Sequence, residues 1–125
     1  MPGTATSNTN TTDERIISYL KGLRDTIVTA FQSLEPSTRF ERTEWPYQGG
    51  YGGGEMSVLR GDIFEKAAVN WSGVGGETFP IADDKGPFFA TGVSLITHMS
   101  NPHAPTVHMN IRYIKNEKRH WFGGG

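Results

Sequence analysis

Two stretches decide the fold: Gly92-Val-Ser-Leu-Ile-Thr-His98 and, after the turn at 99–105, Thr106-Val-His-Met-Asn-Ile-Arg-Tyr113. Successive side chains of a strand point to opposite faces. Val107, Met109, Ile111 and Tyr113 therefore share one apolar face, which should meet a core, while His108, Asn110 and Arg112 share the other. In the preceding run Ser94, Ile96 and His98 also fall on one face. A hairpin closed symmetrically over 101–103 pairs His98 with Thr106, Ile96 with His108 and Ser94 with Asn110. That register gathers Ser94, His98, His108, Asn110 and Arg112 on a single polar surface.

Those residue types suit an anionic small molecule. Arginine offers a planar fork matched to a carboxylate, and a nearby histidine moves a proton near neutral pH. The solvated face of any antiparallel sheet also alternates polar residues, so spacing alone leaves both readings open. One charge and two imidazoles are unlike the Lys/Glu/Thr mix of an ordinary wet face. His98, His103 and His108 as metal ligands match no standard zinc spacing, and with no cysteine in the chain the expected metal is none. His103, in a proline-flanked turn, reads as surface.

Outward from the hairpin the period of two continues. Residues 39–45 read as a strand, 46–54 as a glycine-rich loop, and 55–60 and 63–71 as strands joined through Gly61-Asp62, a hairpin signal. Residues 72–86 read as a second loop, 88–98 and 106–115 as the hairpin, and 116–119 as a polar turn before a strand starting at His120. The loop 49–54 lacks the Gly-Lys-Ser/Thr ending of a phosphate cradle and precedes a strand. Asn70-Trp71-Ser72 is a glycosylation sequon by pattern only.

Upstream the period changes. Ile16, Leu20, Leu23, Ile27, Phe31 and Leu34 recur at three- and four-residue steps, which predicts one apolar helix face. Thr11 and Glu14 have capping-box spacing, Gly22 weakens the middle by roughly 1 kcal/mol, and Pro36 ends the run. Residues 1–12 are small and polar, the composition of a disordered tail. The expected fold class is α+β: an amino-terminal helix packed on an antiparallel meander, in a single domain over 13–125.

At 125 residues and a net charge of -1 the chain has no electrostatic footprint of a nucleic-acid binder. The absence of cysteine excludes disulfides and thiolate chemistry. No apolar run approaches the roughly 18 residues of a membrane span, and the first residues have neither signal nor transit character. The expectation is a cytoplasmic protein. Of the 16 glycines ten fall in four clusters, 49–50, 52–54, 75–76 and 123–125, and the last, in Trp121-Phe-Gly-Gly-Gly125, reads as a chain cut at a loop.

The stretch Gly52-Gly-Gly-Glu-Met-Ser-Val-Leu-Arg-Gly-Asp-Ile-Phe-Glu-Lys-Ala-Ala-Val-Asn-Trp-Ser72 resembles the first signature block of the oxygen-dependent coproporphyrinogen III oxidases. So does Ala90-Thr-Gly-Val-Ser-Leu-Ile-Thr-His-Met-Ser-Asn-Pro-His-Ala-Pro-Thr-Val-His-Met-Asn-Ile-Arg-Tyr113, and residues 121–125 look like the start of the next block. Met99 stands where many members have proline. The resemblance implies a large antiparallel sheet flanked by helices, working as a homodimer. It implies oxidative decarboxylation of two propionates of coproporphyrinogen III to vinyls, giving protoporphyrinogen IX with CO2 and H2O2 released. Molecular oxygen would be the co-substrate, with no other cofactor.

Position by position, the resemblance makes His108 the proton donor and Ser94, Asn110, Ile111 and Arg112 substrate-binding. His98 matches a histidine assigned to metal only in some bacterial members. The implied compartment is the cytoplasm or, as in many eukaryotic members, the mitochondrial intermembrane space. Members are more than twice this length, and an aspartate expected at the pyrrole nitrogens would follow Gly125. A fragment inactive by itself is therefore expected, with a non-catalytic porphyrin- or anion-binding piece, or a sheet-pairing piece, as the alternatives.

Overall fold

A computed structural model describes residues 10–78 and 86–125. Helix α1 (Asn10–Leu34) leads into six strands: β1 (Glu41–Pro46), β2 (Tyr51–Leu59), β3 (Phe64–Gly76), β4 (Phe88–Met99), β5 (Val107–Asn116) and β6 (His120–Gly124). Each strand pairs antiparallel with the next in chain order, so the sheet is one continuous meander. The α+β architecture read from the periodicity is the architecture observed. Residues 1–9 of the expected tail lie outside the described residues; residues 10–12 already belong to α1. Thr11 thus sits inside the first turn rather than ahead of it as a cap.

α1 covers one face of the sheet. Leu20 (1% exposed) and Val28 lock against Val69, Val93 and Leu95, with Ile16, Ile27, Phe31, Met109 and Ile111 packed around them. Burying such aliphatic side chains is worth about 1.5–3 kcal/mol each, more than any helix propensity in the segment. The observed face differs from the predicted stripe at two positions. Val28 belongs to it, and Leu34 does not, being 52% exposed.

The reason lies one residue on. Glu35, 3% exposed, takes the inward position at the end of the helix. Its carboxylate accepts the backbone N–H groups of Asp62 (3.2 Å), Ile63 and Phe64 (2.8 Å), tying α1 to the β2–β3 connection. That connection is not the two-residue hairpin expected at Gly61-Asp62. β2 ends at Leu59 and β3 starts at Phe64, and the Gly61 N–H donates to the Phe64 carbonyl at 2.9 Å. Two ion pairs fasten the rest of the helix: Lys115 to Asp13 at 2.6 Å, and Arg24 to Glu55 at 3.2 Å.

The glycine-rich stretch also departs from its expected loop. β2 begins at Tyr51, so Gly52, Gly53 and Gly54 are strand residues. Gly52 holds φ +85, in the left-handed region open to glycine, and a Cβ on Gly54 would lie 2.6 Å from the Trp45 indole. Glycine permits a strand here because Trp45 lies across it. β3 likewise runs on to Gly76, shortening the loop expected over 72–86, of which 79–85 lie outside the described residues. β6 (His120–Gly124) starts at the expected His120 and takes in 121–124 in place of the loop read at the end of the chain, with the Gly125 N–H and carbonyl paired to Asn110 at 3.0 and 2.7 Å.

Candidate functional site

The face of the sheet turned away from α1 carries the candidate site. The β4–β5 register is the symmetric one: Ser94 opposite Asn110 and Ile96 opposite His108, with the ladder ending at Thr97 opposite Val107. The connection 100–106 sets it, through an Ala104 N–H to Asn101 carbonyl bond of 3.0 Å and the Asn101 side chain accepting from the His103 N–H at 2.9 Å. Because the side-chain period is two, this register places Ser94, His98, His108, Asn110 and Arg112 on one face. Buried Thr91, Val93, Leu95 and Thr97 occupy the opposite face, toward α1.

Cross-strand pairing extends these residues into rows. One row runs Trp45, Gly54, Ser72, Gly92, Arg112 over β1 to β5. The next runs Met56, Asn70, Ser94, Asn110 over β2 to β5. Adjacent strands lie about 4.8 Å apart, so the first row spans about 19 Å. Small residues in its middle leave a shallow depression of about 220 Å³, lined by Trp45, Met56, Asn70, Ser72, Ser94 and Arg112. Trp45 and Met56, both substantially exposed, give it an apolar wall at the β1–β2 end, and the exposed Arg112 gives it a cation at the β5 end.

The predicted residues divide. Ser94 and Arg112 line the depression together. Asn110 stands directly opposite Ser94, and exposed His108 lies one row further along β5, beside Ile96 and outside the lining. His98 is half-buried on the same face, opposite Lys66 of β3. The Ile111 side chain faces the other way, into the core beneath α1, so only its backbone borders this face. His103 sits exposed in the turn. Among the described residues no three His, Cys, Asp or Glu side chains come together as a metal-binding group.

Four of these lining residues, Trp45, Met56, Asn70 and Ser72, escaped the sequence reading. Trp45 reaches this face through the pairing of β1 with β2, which no local signal announces, and Met56 through the β2–β3 register that sets it opposite Asn70. Asn70 was legible by parity alone, since it shares the even face of β3 with Ser72. Its Nδ2 donates toward Ser94 Oγ at 3.5 Å, while its Oδ1 is buried and has no partner.

Electrostatically the face is sparse, with Arg112 as the cation that lines the depression. The displaced titration of Tyr113 belongs to the opposite side of the sheet. Burial pushes the Tyr113 phenol above its ordinary value near 10, the Asp13 carboxylate adds to the rise, and the Lys115 ammonium opposes it. Chemically, the open face combines a guanidinium and hydroxyl and amide donors of the kind suited to carboxylate oxygens, an aromatic wall, and an imidazole within reach of solvent.

Comparison with known proteins gives this arrangement a context. Residues 15–125 match the family model described as coproporphyrinogen III oxidase. The oxygen-dependent coproporphyrinogen-III oxidase of Rickettsia bellii is 41% identical over 86% of this chain and 44% of its own length. That of Rickettsia felis is 40% identical with the same coverage. The chain thus spans 44% of the length of these curated relatives.

Proposed function

The chain belongs to the coproporphyrinogen III oxidase family, and from that premise we propose that its open sheet face binds the propionates of coproporphyrinogen III in haem biosynthesis. The observation that carries the reading is the shared depression of Ser94 and Arg112, with Asn110 opposite Ser94 and a tryptophan wall at the far end. Four propionates make the substrate strongly anionic. The Arg112 fork holds one carboxylate in a bidentate pair, the Ser94 hydroxyl and Asn110 amide donate to its oxygens, and Trp45 packs on the apolar macrocycle.

In the reaction of this reading two propionates become vinyl groups. Each loses CO2 and two hydrogens, and the two hydrogens reduce O2 to hydrogen peroxide. His108, exposed on this face, moves a proton at the propionate during this step as a general acid-base imidazole. No other cofactor takes part in this reading. Homodimerisation, a cytoplasmic setting and a secondary role for His98 on the same face belong to the same proposal. No helix among the described residues is long and apolar enough to cross a membrane.

This chain by itself binds tetrapyrrole carboxylates without turning the substrate over, a reading favoured by His108 lying outside the depression. The test is a fluorescence titration of the protein with coproporphyrin III, the stable oxidised tetracarboxylate. Arg112→Ala should weaken binding at least tenfold, the size of a lost charge-assisted pair of roughly 1.5–3 kcal/mol. Equal binding by the variant removes Arg112 from the site and the proposal with it.

A further inference from the structure

Asn70 is the part of the open face that the structural role of the sheet does not account for. It sits mid-strand in β3, opposite Ser94 on one side and Met56 on the other. The backbone ladder is complete without its side chain. A part-buried amide that makes one of its four possible hydrogen bonds costs stability relative to an apolar side chain of similar size. Oδ1 of Asn70 is buried with no partner, and Nδ2 has one neighbour, Ser94 Oγ at 3.5 Å. Both groups line the depression with Arg112.

We propose that Asn70 is a positioning residue of this site, acting through Ser94. A serine hydroxyl has one proton and rotates to suit its neighbours. The Asn70 Nδ2–H occupies a lone pair of Ser94 Oγ, so the hydroxyl proton turns away from β3 and into the depression. There it donates to a carboxylate oxygen whose other oxygen is held by Arg112. Without Asn70 the hydroxyl is free to point elsewhere, and the carboxylate pays for reorienting it. The inference rests on the reading of this face as a carboxylate site, and its test separates the two.

The experiment is a double-mutant cycle on the protein, titrated with coproporphyrin III by fluorescence, with thermal midpoints recorded for every variant. Asn70→Ala and Ser94→Ala should each weaken binding about fivefold, one neutral hydrogen bond. The double variant should bind as Ser94→Ala does, because Asn70 has nothing left to position. Asn70→Asp should bind more weakly than Asn70→Ala: a carboxylate accepts only, so it draws the Ser94 proton toward itself and adds a negative charge beside the ligand. Independent effects that multiply to about 25-fold in the double variant overturn the proposal. So does Asn70→Asp binding as tightly as the unaltered protein, or an affinity loss that follows the thermal midpoints across variants. Arg112→Ala serves as the parallel arm. If it binds unchanged, the carboxylate site itself fails; if it weakens binding while the cycle is additive, only the role of Asn70 fails.

Discussion

Replacing Glu35 by alanine should be among the most damaging single changes outside the apolar core. The carboxylate is 3% exposed and accepts three consecutive backbone N–H groups from the β2–β3 connection. Hydrogen bonds to a charged group are worth about 1.5–3 kcal/mol each, but the three donors are not equally costly to abandon. Asp62 and Ile63 are exposed, so water replaces most of what they lose. Phe64 is buried at 3% exposure, and its N–H would stay unpaired, a penalty of about 1–3 kcal/mol. Adding a residual from the two wet donors gives a loss of about 3 kcal/mol. With a urea slope of about 1.5 kcal/mol/M for a domain of this size, the unfolding midpoint should fall by about 2 M. Glu35→Gln retains one acceptor oxygen and should lose about half as much. Gly61→Ala provides an independent check, since its Cβ would lie 2.6 Å from the Glu35 carboxyl carbon. It should destabilise the protein and be non-additive with Glu35→Ala, because both break the same contact. A loss under about 1 kcal/mol for Glu35→Ala, with an unchanged slope, would show that water serves all three donors and refute the reasoning.

Leu20→Ala removes the most buried side chain of α1 from its cluster with Val69, Val93 and Leu95 and should cost about 3 kcal/mol in urea denaturation; a loss below about 1 kcal/mol would mean that α1 does not hold its place on the sheet. Asp13→Asn breaks the 2.6 Å pair with Lys115 at the start of the helix, and should cost about 1 kcal/mol at low salt and less at 1 M salt, where the Debye length is about 3 Å; an effect independent of salt would point away from charge. Tyr113 is held above its ordinary titration range by burial first and Asp13 second. For a folded value raised above the unfolded one, the stabilising contribution is fully present below about pH 10 and is lost as pH climbs past it. The unaltered protein should therefore lose stability above about pH 10 more steeply than Tyr113→Phe, and parallel alkaline limbs in pH-dependent denaturation would contradict that assignment.

The sequence by itself determined the parts governed by short-range chemistry. Periodicities of two and of three to four separate strand from helix, and the helix, the β4–β5 hairpin and its register follow from them because a one-residue slip would turn Val107, Met109 and Ile111 to the wet face. The polar face of Ser94, His98, His108, Asn110 and Arg112 was legible for the same reason, and the signature stretches over 52–72 and 90–113 carried the family resemblance. Only the tertiary structure decided what depends on contacts distant in sequence. Gly52, Gly53 and Gly54 read as a loop until the Trp45 indole is seen lying across Gly54, where no other residue fits. Leu34 satisfies the helical stripe, yet Glu35 takes the inward place because three orphan N–H groups, 27 to 29 residues along the chain, need an acceptor. Trp45, Met56 and Asn70 join Ser94 and Arg112 because pairing across five strands sets them side by side, whereas the inward place of Ile111 was already given by strand parity. Local pattern fixes which face a residue takes; the order of the strands fixes which residues meet there.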